Sequence, residues 1–211
     1  MKITDDTAAE IGIALNEATL LGAEYEAQRN LVGLTFSVLT LPDDDAPEPA
    51  DARRQFILTD VGRIAAALRD ARWNDTTAHT IPFEASDLLA IVQSFGGRPI
   101  YGWQFINKED NAFNEWKNRL SLDIKMDFGS LDNRLMLFQE GATTNRHLDL
   151  WIWFGGLLIR DANGRTITCE EFIAGGKRWW DGMYAGDSRT SGHGIVAGEV
   201  DSEQSNERRP E

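Results

Sequence analysis

"HLDLWIWFGGLLIRDANGRTIT", residues 147–168, decides the fold of this chain. From Leu150 to Phe154 every residue is apolar, so neither face of the segment suits water. Such a run belongs in the middle of a sheet that is covered on both sides. Gly155 and Gly156 interrupt it and mark a bulge or bend. The strand resumes over 157–160, and Asn163-Gly164 then supplies the strongest short-range signal for a tight hairpin turn, closed by a short strand over 165–168. Thr168 starts a helix, because Thr168 and Glu171 stand in the capping-box relation that satisfies free N–H groups of the first turn. Phe172, Gly176, Trp179 or Trp180, and Met183 fall on one face of that helix, which predicts that it packs across the sheet.

Period-two patterns recur upstream. Val32, Leu34, Phe36 and Val38 alternate with small or polar residues, as do residues 18–27 before the polar "QRN", and the two runs predict an antiparallel hairpin. "LPDDDAPEPAD", 41–51, holds three of the six prolines and five acids and reads as an exposed loop. A third strand is expected over 54–59. In "VGRIAAALRDA" the residues Val61, Ile64, Ala65 and Leu68 fit helical spacing, with a continuing strand as the alternative. Residues 86–95 form a helix by their apolar stripe, and Gly96-Gly97 stop it where a left-handed conformation is needed. "IYGWQFI" then resumes as a strand. A phosphate loop needs the opposite order, with glycines opening a helix after a strand, so this Gly-Gly pair is a structural joint. A helical turn over 111–118 and strands over 120–126 and 134–140 follow. Asp127-Phe128-Gly129 lies in a turn, without the other motifs that would make it a kinase metal-binding triplet.

Together these elements predict an α+β protein, a single domain over 18–185. Its mostly antiparallel, curved sheet has roughly seven or eight strands and carries two or three packed helices. Residues 1–17 are expected to be loosely held. Residues 186–211, rich in Ser, Gly and Glu, are expected to form a disordered acidic tail.

Charge restricts function more than any motif does. The formal net charge is −13 over 211 residues. Phosphate backbones and anionic membrane surfaces repel such a chain, so nucleic acid and membranes are not expected partners. Residues 186–211 hold six acids and three arginines, which leaves −10 on residues 1–185. The acidity therefore belongs to the body and would suit a basic protein partner. No apolar run approaches the ~20 residues of a membrane helix, and "MKITDDTAAE" lacks the features of an export signal, so a cytoplasmic location is expected. The one cysteine, Cys169, rules out an internal disulfide.

Catalytic patterns are sparse. His193 falls in the expected tail, where no geometry would be held. His147 and Asp149 share one strand face, so imidazole and carboxylate could meet, and an enzyme site around them is one reading. Cys169 sits at a helix start, where the dipole can lower a thiol pKa, and Glu170 and Glu171 are ordinary first-turn acids. No metal or cofactor spacing is present, and neither is expected. The enrichment that stands out is seven tryptophans, a residue favoured both in cores and at binding surfaces. Of the adjacent pair Trp179-Trp180, ~100° apart around a helix, one can face out. The sequence thus favours a non-catalytic binding protein that docks a basic partner through an acidic, Trp-bearing surface, as an immunity-type or antitoxin protein would by analogy. The candidate binding residues are Tyr101, Trp103, His147, Asp149 and Trp180. A carbohydrate or small-ligand binder using exposed tryptophans is the alternative.

Overall fold

The structure is a computed structural model that describes residues 2–72, 74–109, 112–141 and 144–195. The apolar run lies where its composition puts it. Strand β7, Arg146–Phe154, is flanked by β4, Arg63–Asp70, and β6, Asn133–Glu140, and β4 also pairs with β5, Leu122–Lys125. A second sheet orders β1 (Thr19–Glu26), β2 (Leu31–Ser37), β3 (Arg53–Thr59), β8 (Gly156–Arg160) and β9 (Thr166–Ile167). All the strand pairings are antiparallel. Among the described residues there are four α-helices, α1 (Asp5–Leu15), α2 (Leu88–Gln93), α3 (Ala112–Trp116) and α4 (Cys169–Ala185), and the protein is α+β.

The curvature is concentrated at one corner, which divides the strands between two sheets. Thr59 opposes Gly156, and the next paired residues are Arg63 and Trp153. Three residues on one side therefore face two on the other, a one-residue bulge. Gly62 N–H donates to Trp153 O at 2.9 Å and Gly155 N–H to Asp60 O at 3.2 Å, so the ladder continues around the bend. Strands that switch sheets through a bulge are how two packed sheets share a corner. A Cβ on Gly155 would lie 2.6 Å from the Asp60 carboxylate and 3.0 Å from the Ser130 Cβ, so a side chain there would have to displace both.

Both faces of β7 are covered. Leu148, Leu150, Ile152 and Phe154 join the main core with Leu34, Phe36, Phe56 and Leu58 of the other sheet. On the opposite face Trp151 meets Ala65, Ala67 and Trp116, while Phe113 sits edge-on to Trp151 and Trp153 at 5.4 and 5.0 Å. This explains β4, whose spacing fits a helix but which is a strand. Ile64, Ala66 and Leu68 fill the main core, and Ala65 and Ala67 leave room for indoles, so the apolar residues do not alternate. The last helix packs on the other sheet through Phe172, edge-on to Phe56 at 5.2 Å. Thr168 caps it by accepting from Glu171 N–H at 3.0 Å. The reciprocal half of the capping box is not made; the Glu171 carboxylate pairs with Arg165 at 2.6 Å instead.

Two terminal expectations are corrected. Residues 5–15 are not loosely held: they form α1, whose Ala8, Ile11, Ala14 and Leu15 are buried in the main core. A Cβ on Gly176 would lie 2.6 Å from the Ala14 Cα, which shows how closely α4 crosses α1. Residues 187–195 form a strap. Arg189 Nη1 donates to the carbonyls of Asp44 and Ala46 at 3.1 and 3.2 Å, His193 Nε2 lies 2.8 Å from Glu48 Oε2, and Thr190 is buried. The strap is held because Trp179, Leu39 and Leu41 need a cover. The rest of the expected tail, 196–211, lies outside the described residues, as does Trp73.

Gly96 and Gly97, with φ of 71° and 75°, end α2 as expected. The segment that follows is extended without forming a regular strand. Ile100 N–H donates to Ala18 O at 2.8 Å, Tyr101 N–H to Phe138 O at 3.3 Å, and Asn107 N–H to Arg134 O at 2.8 Å; Met136 N–H donates to Phe105 O at 2.8 Å. It ties β6 to the chain entering β1 and covers an otherwise open edge. No described helix is long and apolar enough to cross a membrane.

Candidate functional site

The adjacent indoles of α4 touch edge to face, ring centres 5.1 Å apart, but differ in burial. Trp179 is wholly buried against Leu39 and Leu41, while Trp180, ~100° further round the helix, is half-buried, resting on the edge of that cluster and facing a surface cleft. The Trp180 Nε1–H donates to Ile13 O at 3.1 Å, a carbonyl near the C-terminal end of α1 that also accepts from the Asn16 N–H at 3.2 Å. This bond fixes the indole. Tyr184, one turn further on, lies 6.4 Å away and tilted by 35°.

Trp103 arrives from the extended 99–107 segment. Its backbone lies directly on α1, because a Cβ at Gly12 would stand 2.3 Å from Trp103 O. The indole is 77% exposed and stacks on no other ring among the described residues. Trp103, Trp180 and Tyr184, with Ile13, Asn16, Lys177 and Asp181, line a cleft of about 330 Å³. Exposed aromatic faces of this size are costly in water and are the usual anchors of binding surfaces.

The charges around the cleft favour a cation. Its one lining base, Lys177, is ion-paired with Glu10. Asp181 is exposed, and its carboxylate has neither an ion pair nor a hydrogen bond among the described residues. A larger cleft of about 500 Å³ lies along the β1–β3 face beside α2, but its lining charges, Glu24 and Glu26 against Arg29 and Arg160, cancel.

Of the five candidate binding residues, Trp103 and Trp180 meet in the cleft and three do not. Tyr101, 47% exposed, leans on Phe138 at 6.2 Å and does not line it. His147 and Asp149 are 2% and 3% exposed, sealed beneath the α3 side of the sheet. The Asp149 carboxylate accepts from Arg69, whose guanidinium lies 4.1 Å over the Trp116 ring. His147 stacks on Phe138 at 5.7 Å, with Glu140 Oε1 3.6 Å from Nε2, and neither ring nitrogen has a hydrogen-bond partner among the described residues. The imidazole–carboxylate pair that the shared strand face allows is therefore not formed. The cross-strand Arg69 takes the carboxylate first.

Cys169 is not an activated thiol. Burial, and then the neighbouring Glu170 carboxylate, push its pKa up. Among the described residues no cluster of three His, Cys, Asp or Glu side chains could hold a metal ion. Sequence reasoning missed Tyr184, Ile13, Asn16 and Asp181. Tyr184 was open to it, at the i+4 position from Trp180.

Compared with known proteins, the chain matches no family model, no curated protein and no solved structure.

Proposed function

We propose that the protein is a non-catalytic, cytoplasmic binding protein that docks a basic protein partner, with the Trp103–Trp180–Tyr184 cleft as its anchor. The observation that supports this reading is the convergence of three surface aromatics from two chain segments, the 99–107 segment and α4, on one cleft, with an unpaired carboxylate on its rim. Tryptophan and tyrosine supply most of the binding energy when a partner excludes water from them. The −10 carried by residues 1–185 would steer a basic partner and speed encounter. The cleft is small beside the ~800 Å² per partner of a stable interface, so it acts as the anchor within a wider acidic surface.

The test is affinity capture at low salt with the wild type and with the W103A/Y184A variant, followed by purification of any basic protein recovered. The reading requires that the purified partner bind the wild type in a salt-dependent manner and the variant at least ~10-fold more weakly, as for loss of anchor residues. If the variant binds that partner as well as the wild type does, the proposal fails.

A further inference from the structure

We infer that the cleft takes an arginine of the partner, its guanidinium lying flat against the Trp103 indole with Asp181 as counter-ion; this deepens, and rests on, the docking reading above. Three observations carry it. Trp103 presents a ring face that nothing in the described structure stacks on, beside a second indole immobilised by its bond to Ile13 O. Lys177 is already neutralised by Glu10, so the Asp181 carboxylate is the unspent charge of the cleft. A neutral sugar would leave that charge unanswered, whereas a cation answers it and the aromatic faces together.

The choice of arginine over lysine follows from shape and hydration. A guanidinium is planar, sheds water more readily than an ammonium, and can stack on a ring while its edge still donates to a carboxylate. The same chemistry recurs inside this molecule. Arg69 and Arg119 each lie 4.1 Å from the Trp116 ring centre, and Arg63 lies 5.2 Å from that of Trp153. Arg63 at the same time holds the Asp123 carboxylate at 2.7 Å. The Arg63 arrangement, stacked on an indole and paired with a carboxylate, is the one inferred for the partner's arginine at Trp103 and Asp181.

The experiment follows the indole N–H resonances of the ¹⁵N-labelled full chain, assigned through W103F and W180F. Tetra-arginine amide, tetra-lysine amide and tetra-citrulline amide are titrated at low salt. The expected result is that tetra-arginine shifts the Trp103 and Trp180 signals and leaves those of buried Trp116 and Trp151 in place. Its half-saturation should lie ~5-fold below that of tetra-lysine, the equivalent of ~1 kcal/mol. Tetra-citrulline, which has the same shape without the charge, should not bind, and D181N should weaken tetra-arginine by ~3-fold. Equal binding of lysine and arginine, binding of citrulline, or indifference to D181N overturns the inference. Unmoved buried indoles in D181N report that the variant is folded. If tetra-arginine leaves Trp103 untouched while a basic partner still depends on Trp103 and Tyr184, the guanidinium inference falls and the docking reading stands. If the partner is indifferent to W103A/Y184A, the docking reading falls whatever the peptides do.

Discussion

Replacing Gly12 with alanine sets two effects of opposite sign against each other. Gly12 lies inside α1, and a helix-interior Gly→Ala exchange ordinarily stabilises by ~1 kcal/mol. At this position the new Cβ would stand 2.3 Å from Trp103 O and 3.2 Å from Gln104 Cα, where ordinary contact begins at 3.4 Å. The 103–104 backbone would need to retreat by roughly 1 Å, and overpacking of this kind costs ~1–3 kcal/mol. It has little freedom to retreat, since Phe105 O accepts from Met136 N–H and Tyr101 N–H donates to Phe138 O. We therefore expect Gly12→Ala to destabilise by ~1 kcal/mol net, with the range of the two effects spanning about 0–2. Gly182, also in a helix, is the internal control. Its Cβ would meet only side-chain atoms, at 3.3–3.5 Å from Thr190, Asp187 and Leu41, so Gly182→Ala should keep most of the propensity gain. Urea unfolding followed by circular dichroism measures both variants. The close approach of α1 to the Trp103 backbone would be refuted if Gly12→Ala proved more stable than wild type by ~1 kcal/mol, the full propensity gain.

Three further outcomes are expected. Asp149→Leu leaves the buried Arg69 guanidinium uncompensated and should cost ~3–5 kcal/mol, while Arg69→Met combined with Asp149→Leu should recover most of that loss in the same urea assay. Hydrogen bonds from Arg53 lower the Asp51 carboxyl from 3.8 to about 2; the stability of that pairing is fully present above 3.8 and is lost as the pH falls through about 2. A carboxyl NMR titration should therefore show a depressed midpoint for Asp51 that returns toward 3.8 in Arg53→Gln. Asp187→Asn removes the carboxylate that holds Arg189 Nε and Nη2, so trypsin at neutral pH should cut after Arg189 several-fold faster than in the wild type, and an unchanged rate would mean that the strap is held by other groups.

What could be read from the sequence followed from local chemistry, and what could not depended on pairing across the chain. An apolar run with no polar face specifies burial on both sides, and β7 has it; Gly96 and Gly97 stop a helix because each needs positive φ. Helix α1, expected to be loosely held, had a signal that the reading passed over, since Ala8, Ile11 and Leu15 fall at i, i+3 and i+7. Its alanines and Gly12 look weak as core formers until α4 and the Trp103 backbone are seen to need the space. The fate of His147 and Asp149 shows where local reading ends. Their shared strand face is a matter of period two, but Arg69 reaches Asp149 only because β4 and β7 pair with Ala67 opposite Asp149 and Arg69 opposite His147. A register differing by one residue would turn Arg69 to the other face of the sheet and leave the carboxylate free for the imidazole. The cleft depends on long-range pairing in the same way. Trp103 and Trp180 are 77 residues apart in a 211-residue chain. They meet because β6 fixes the 99–107 segment on one side and the absent side chain of Gly12 admits it on the other. The aromatic residues of the candidate site were thus visible as composition, and their convergence is a consequence of strand register and one glycine.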